Sequence, residues 1–215
     1  MSDKREAALV VVGISGVTCG GKTTTAQKLH KIFPNCKIIT QDDYYLDDDD
    51  PRHTWIPELN HANYDILTSL DMSKMHQDVL NILNNESLVR INHNNYKKSE
   101  ENITNISRKL RTANLKLLLI EGFSIFNYEP LLPVFDLKYY FTLNKEECFD
   151  RRKGRVYDPP DVPGYFERCA WPEHLQQLKE VESKVDNVRY FSGTADPEQV
   201  LETIVKDIYA LYDQS

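Results

Sequence analysis

Residues Gly16-Val17-Thr18-Cys19-Gly20-Gly21-Lys22-Thr23 follow the apolar run Leu9-Val10-Val11-Val12 and precede Thr24-Thr25-Ala26-Gln27-Lys28-Leu29, which reads as a helix. A strand, a glycine-rich loop closing on Gly-Lys-Thr and a helix, in that order, form a phosphate-binding P-loop. The glycines let successive backbone N–H groups curl around anionic oxygens, and the helix N-terminus adds the positive end of its dipole. Lys22 is expected to reach the β- and γ-phosphates of a nucleoside triphosphate, and the Thr23 hydroxyl to be a Mg²⁺ ligand. Gly16, Val17, Thr18, Cys19, Gly20, Gly21, Lys22, Thr23 and Thr24 are thus candidate nucleotide-binding residues. The flanking strand and helix separate this pattern from an accidental Gly-Lys-Thr turn.

Outward from the loop, strand and helix signals alternate. Lys37-Ile38-Ile39-Thr40 is a short β-branched strand running into Gln41-Asp42-Asp43-Tyr44-Tyr45, and a polar stretch from Asp47 to Asn63 reads as a loop or flap. Leu70, Met72, Met75, Val79, Leu80 and Leu83 keep helical spacing over 69–83. A segment rich in Asn, Lys and Glu, 84–114, precedes Leu115-Lys116-Leu117-Leu118-Leu119-Ile120, the clearest buried strand. Further strands are expected at 138–143 and 188–191. Helices are expected from Glu146, around Glu173 to Val185, and from Pro197 to Tyr212 with Val200, Ile204, Ile208 and Leu211 inward. Gly154, Pro159, Pro160 and Pro163 mark a hinge-like connection. Parallel strands joined by helices predict an α/β three-layer sandwich with a central parallel sheet and ligands at the strands' C-terminal ends.

The 215 residues, 40% hydrophobic, suit one domain over 1–215 with a sizeable core. A formal charge of −7 argues against a nucleic-acid surface. The charged stretch Met1 to Ala8 lacks a signal peptide's apolar run, and no run approaches the roughly 20 apolar residues of a membrane span. A cytoplasmic protein with no membrane partner is expected. Cys19, Cys36, Cys148 and Cys169 lack metal or redox spacing and are expected as reduced thiols. Three Asn-x-Ser/Thr patterns, at Asn85, Asn102 and Asn105, are read as polar loop.

Three clusters supply chemistry. Asp42 and Asp43 follow a strand directly, so at least one carboxylate should face the phosphates, where Asp42 is the candidate general base toward an alcohol. The run Asp47 to Asp50 reads as a solvated charge run. Glu121, at the end of the buried strand and before the turn at Gly122, stands where a P-loop enzyme places an acidic residue near Mg²⁺. That makes Thr23, Asp42 and Glu121 the metal candidates. Arg151-Arg152-Lys153-Gly154-Arg155 is a dense cationic patch ahead of the Pro/Gly connection, as a lid over ATP would be. Lys22 and Arg151 then join Asp42 as catalytic candidates. A nucleotide-dependent switch is the competing class. It would need Asn-Lys-x-Asp, which Asn144-Lys145-Glu146-Glu147 only approaches, and an Asp-x-x-Gly after the buried strand, where this chain has Glu121-Gly122.

The blocks Gly13-Ile14-Ser15-Gly16 through Thr24, Gln41 to Tyr45, Ile120-Glu121-Gly122-Phe123 with Phe126-Asn127-Tyr128, Arg155-Val156-Tyr157 with Pro159-Pro160-Asp161, Pro163-Gly164-Tyr165-Phe166 and Trp171-Pro172 together resemble the nicotinamide riboside kinases. The resemblance spans most of the chain. It implies a P-loop kinase fold, uridine kinase-like, and ATP- and Mg²⁺-dependent 5′-phosphorylation of nicotinamide riboside. Nicotinic acid riboside is a further acceptor, GTP a possible donor, and no obligatory protein partner is implied. It makes 151–166 the lid and 42–65 the acceptor-site flap. Asp42, Asp43, Tyr44 and Tyr45 become the substrate edge. Tyr64 and Asp65 contact the nucleoside, Arg152 holds the ribose with Asp65, and Tyr157 stacks on the pyridine. Arg151, Arg155, Val156 and Tyr157 match lid positions near ATP, and Thr194, Ala195, Asp196 and Pro197 a loop bordering the adenine. The chain departs from the family pattern in the long segment 84–114, in Asp150 within the basic run, and in Asp158. Asp158 joins the substrate candidates and, turned inward, would disfavour a negatively charged nicotinate. A general uridine-type kinase is the alternative within the fold.

Overall fold

The computed structural model describes residues 8–85, 89–90 and 115–213. Most of the segment 84–114, the glycosylation-like patterns in it and the N-terminal residues 1–7 lie outside the described residues.

Strand β1 (Ala8–Gly16) is buried throughout and forms the axis of the sheet. It pairs in parallel with β6 (Leu115–Glu121) on one side and β7 (Leu137–Thr142) on the other. Strands β2 (Cys36–Thr40) and β8 (Val188–Ser192) extend the sheet outward in the order β2-β6-β1-β7-β8. A two-residue strand, β5 (Val89–Arg90), pairs alongside Ala8 and Leu9. Because every strand of this sheet is parallel, the chain crosses it through helices that cover both faces. Alternation along β1 sends Val10, Val12 and Ile14 to the face covered by α1 (Lys22–Ile32) and α5 (Pro197–Tyr212), where Leu29, Ile204 and Ile208 are fully buried. Leu9 and Val11 go to the other face, with Met75 and Val79 of α2 (Met72–Asn85) and Val181 of α4 (Trp171–Lys184).

The expected strands and helices are present, with shifted ends where a side chain intervenes. Asp71 starts α2 by accepting from the Lys74 N–H at 2.9 Å, so Leu70 falls outside the helix and bridges Tyr45 instead. Helix α3 (Lys145–Arg152) is capped by Asn144, which accepts from the Glu147 N–H at 2.8 Å, and it ends three residues before Arg155. A turn of π-helix, Phe166–Ala170, leads without a break into α4, which begins at Trp171 rather than Glu173. The stretch read as loop between Asp47 and Asn63 holds a small antiparallel hairpin, β3 (Trp55–Ile56) and β4 (His61–Ala62). The four cysteines are free thiols, three of them buried. Among the described residues, no helix is long and apolar enough to cross a membrane.

Candidate active site

The site lies at the C-terminal ends of β1, β2 and β6, where the connection from β1 to β2 and that from β6 to β7 run in opposite directions across the sheet. Gly16 turns the chain with φ +124°, and a Cβ there would collide with the Phe141 carbonyl of the adjoining strand. The loop then wraps back, so that the amino group of Lys22, buried at 9% exposure, donates to the Val17 carbonyl at 2.7 Å. Gly20, Gly21, Lys22, Thr23 and Thr24 wall a cavity of about 270 Å³ together with Cys19, Arg151 and Arg155. This is the expected nucleotide side. Arg151 is fastened there, donating to the carbonyls of Cys19 and Gly193 at 3.2 and 3.0 Å and to Glu147 at 2.7 Å.

A second cavity, of about 380 Å³, shares Lys22, Thr23 and Arg155 with the first and runs on to Tyr64 and Arg152. Asp42 and Glu121 line it. Thr23 Oγ1 donates to Glu121 Oε1 at 3.1 Å, which places the hydroxyl and the carboxylate on one potential metal site. These are hard oxygen donors, and Mg²⁺ is held by one or two such groups while phosphate oxygens and water complete its shell. The donor set fits that ion. Among the described residues, no cluster of three or more His, Cys, Asp or Glu side chains offers a denser metal cage. Desolvation pushes the carboxyls of Asp42 and Glu121 above their ordinary range, with Lys22 pulling both back. Burial lowers the Lys22 ammonium in turn.

Asp42 reaches the cavity because of the short 3₁₀ turn Gln41–Tyr44. In such a turn positions three apart eclipse, so Gln41 and Tyr44 both point inward. Gln41, with no exposed surface, is bracketed by Ser124: its amide donates to Ser124 Oγ and its carbonyl oxygen accepts from the Ser124 N–H, both at 3.1 Å. Gly122 is required beside it, since a Cβ there would overlap the Gln41 side chain. Tyr44 packs in the core and donates to Asp78 at 3.1 Å, away from the cavity, and Asp43 does not line it. Tyr45 does, its ring stacked on Phe123 with centroids 6.4 Å apart.

Arg152 is the most buried cation lining the two cavities, 5% exposed. Its Nη1 and Nη2 donate to the two oxygens of Asp65 at 3.3 and 3.2 Å, and its Nε and Nη2 to those of Asp161 at 2.7 and 3.0 Å. The Tyr157 and Tyr165 rings lie 4.5 and 5.5 Å from the guanidinium. Asp65 is itself held by α4, where Gln177 donates to its carbonyl at 2.7 Å. Tyr157 reaches back to the P-loop, its hydroxyl 3.2 Å from Thr18 Oγ1. Tyr64 donates its hydroxyl to Asp48 at 3.1 Å.

Most sequence-expected residues therefore converge, while a few do not. Val156 is 98% exposed and turned outward. Thr194, Ala195, Asp196 and Pro197 are exposed beyond Gly193, where an added Cβ would collide with the Gly20 carbonyl, and Asp196 caps α5 by accepting from the Glu198 N–H at 3.0 Å. Conversely, Asp47 and Asp48 line the acceptor cavity rather than forming a merely solvated charge run, Gln41 and Asp161 are marked in the sequence only by the blocks of the family resemblance, and His61 carries no signal there. Asp158, unlike Asp43 and Tyr44, does line the cavity.

A P-loop at the end of the central strand, a carboxylate delivered from the neighbouring strand and a second cavity opening onto both define a P-loop kinase of the α/β sandwich type. No family model matches the chain. Over 198 residues it is 35% identical to nicotinamide riboside kinase 1 of Rattus norvegicus, covering 92% of this chain and 93% of that protein. It is 33% identical over 199 residues to nicotinamide riboside kinase 2 of Mus musculus, covering 93% and 95%. A solved structure described as a possible uridine kinase from Bacillus stearothermophilus superposes with a TM-score of 0.48 at 16% identity, covering 86% and 91%. The chain belongs to the nicotinamide riboside kinase family.

Proposed function

We propose that this enzyme transfers the γ-phosphoryl group of ATP to the 5′-hydroxyl of nicotinamide riboside, giving nicotinamide mononucleotide, a salvage step toward NAD. The observation that carries the reading is the Asp65–Arg152 fork set in the same cavity as Asp42, Lys22 and Thr23. A vicinal diol needs both acceptors and donors, and the fork offers both. With the ribose held there, Asp42 takes the proton of the 5′-hydroxyl as its oxygen bonds to the γ-phosphorus and the bond to the ADP oxygen breaks.

Lys22, with Arg151 and Arg155 from the cationic patch, balances the charge on the transferring group. Thr23, Asp42 and Glu121 would hold Mg²⁺, whose charge neutralises the phosphate oxygens. Tyr45, Tyr64 and Tyr157 give the cavity aromatic faces, which attract a pyridinium cation as they would not a neutral base. Residues 1–215 act as one kinase domain in which 151–166 is the lid and 42–65 the acceptor-site flap, working in the cytoplasm without an obligatory protein partner. Incubation of a nucleoside panel with Mg·ATP, read by product mass, tests the assignment. Conversion of nicotinamide riboside at the highest kcat/KM is expected, and a preference for uridine would reassign the chain as a uridine-type kinase.

A further inference from the structure

Tyr64 and Asp65 belong to neither a helix nor a strand, so no ladder or helical turn fixes the backbone that presents them. Side chains do it instead. The Tyr64 N–H donates to the Tyr165 hydroxyl at 2.8 Å, the Asp65 N–H donates to Asn63 Oδ1 at 3.1 Å, and the Asp65 carbonyl accepts from Gln177 Nε2 at 2.7 Å. Just ahead of the pair, the buried Ser69 hydroxyl donates to the Asn63 carbonyl. Tyr165, Asn63 and Gln177 are themselves 1%, 4% and 8% exposed. A buried polar group that loses its partner is costly, so each of these contacts constrains the chain.

The holding groups trace to one rigid element. Tyr165 enters the π turn Phe166–Ala170, which runs on into α4, and α4 is seated on the sheet through the fully buried Val181. Gln177 belongs to α4, and so does Glu173, whose Oε1 accepts from Asn63 Nδ2 at 2.9 Å. A carboxylate only accepts, so Glu173 draws the Asn63 amide nitrogen to itself and leaves the amide oxygen for the Asp65 N–H two residues on. Both backbone groups of Asp65 are thereby tied to α4. Its two carboxylate oxygens meet the planar Arg152 guanidinium at 3.3 and 3.2 Å, a fork that a tilted backbone would break. Asn63, Glu173 and Gln177 do not line the acceptor cavity. We propose that these three are positioning residues for the acceptor: they hold the Asp65 backbone to α4, and affinity for the ribose depends on that hold. The inference rests on the reading of the Asp65–Arg152 fork as the ribose holder and extends it to side chains outside the cavity.

The test measures kcat and both KM values, with Mg·ATP and the riboside that the wild type prefers, in Gln177→Met, Glu173→Leu, Glu173→Gln, Asp65→Ala and the double variant Asp65→Ala with Gln177→Met. Gln177→Met keeps the length and helix propensity of the side chain and removes its donor. It is expected to raise the riboside KM about five- to fiftyfold, the range of a buried acceptor left unmatched, with kcat and the KM for ATP within about threefold of wild type. Glu173→Leu should raise the same KM by about threefold or more, while Glu173→Gln, which still accepts from Asn63, should stay within about twofold of wild type. In the Asp65→Ala background, Gln177→Met should add about threefold at most, because the carboxylate it positions is gone, whereas a substitution that merely loosens the fold would multiply in full. Full multiplication, or a riboside KM moved by less than about twofold in both Gln177→Met and Glu173→Leu, overturns the inference and leaves the kinase reading intact. A wild type that prefers uridine overturns the reading of the base alone, since uridine carries the same diol and the positioning is then read on its KM. An unchanged riboside KM in Asp65→Ala overturns the ribose fork and this inference together.

Discussion

Asp42 owes its place to a residue that does no chemistry. Gln41 is locked to Ser124 at the end of the adjoining strand, and the 3₁₀ turn that follows swings the next side chain toward Lys22 and Thr23. The carboxylate could be read from the sequence because it follows a strand directly and the P-loop stands upstream. Asp161, Asp48 and His61 could not be read from residue type and spacing, because each gains its meaning from a side chain that irregular, non-periodic backbone folds against it: Arg152 for Asp161, Tyr64 for the other two. Asp42→Asn is expected to keep the fold and ATP binding while kcat falls by roughly two to four orders of magnitude, the range of general-base catalysis. Equilibrium binding of a fluorescent ATP analogue beside steady-state kinetics checks both halves. Because desolvation holds the Asp42 carboxyl above its ordinary range, the base is lost as pH falls through that raised value. The wild-type kcat/KM profile should therefore show an acid limb that the residual activity of Asp42→Asn lacks. Lys22→Ala and Thr23→Ala should both lower activity, but only the second should recover in part as Mg²⁺ is raised, since only Thr23 shares a site with Glu121. A Mg²⁺ titration of the two variants separates them.

At the scale of elements, the acceptor site is a meeting of three segments that the sequence describes as unrelated. The hairpin segment brings Tyr64 and Asp65, the end of α3 brings Arg152, and the connection after it brings Tyr157 and Asp161. Strands and helices were legible because their apolar periodicity is long. The β3–β4 hairpin was not, because two two-residue strands leave no period to detect, and the π turn before α4 was hidden in what reads as a continuation of the loop. The division of labour on Arg152 yields a prediction. Asp65→Ala removes the carboxylate that faces the ribose, so KM for the nucleoside should rise about tenfold to a hundredfold, the loss of a charge-assisted hydrogen bond. Asp161→Asn instead leaves the ribose acceptor in place but frees the Nε edge of the guanidinium, and should raise the nucleoside KM less while sparing the KM for ATP. Equal effects of the two variants on both substrates would mean that Arg152 serves only to hold the segments together.

Over the whole molecule, the central sheet carries the stability and the site is attached to its C-terminal edge, so changes of pH reach the two by different groups. His174 of α4 is 6% exposed, its ring stacked over Tyr140 of β7 at 6.3 Å and tilted against Trp171 at 5.4 Å. Burial lowers its pKa to about 4, so the native protein keeps it neutral where an unfolded chain would protonate it. Its sign follows from linkage: between pH 6.5 and about 4 the unfolded state binds the extra proton, and stability is lost as pH falls through that window. The full loss is about 3 kcal/mol, the product of the shift and the free energy of one pH unit. Asp42 and Glu121 act in the opposite sense. Their raised pKa values make the native state the better proton binder over part of the acid range, and so partly mask the histidine. His174→Phe preserves a flat ring between Tyr140 and Trp171 and removes only the titration. Urea unfolding of wild type and variant from pH 7 to pH 4 should thus diverge steadily, with the variant losing less stability toward acid and the gap opening below about pH 6.5. A constant gap over that range would place the acid sensitivity of the fold elsewhere than on this ring.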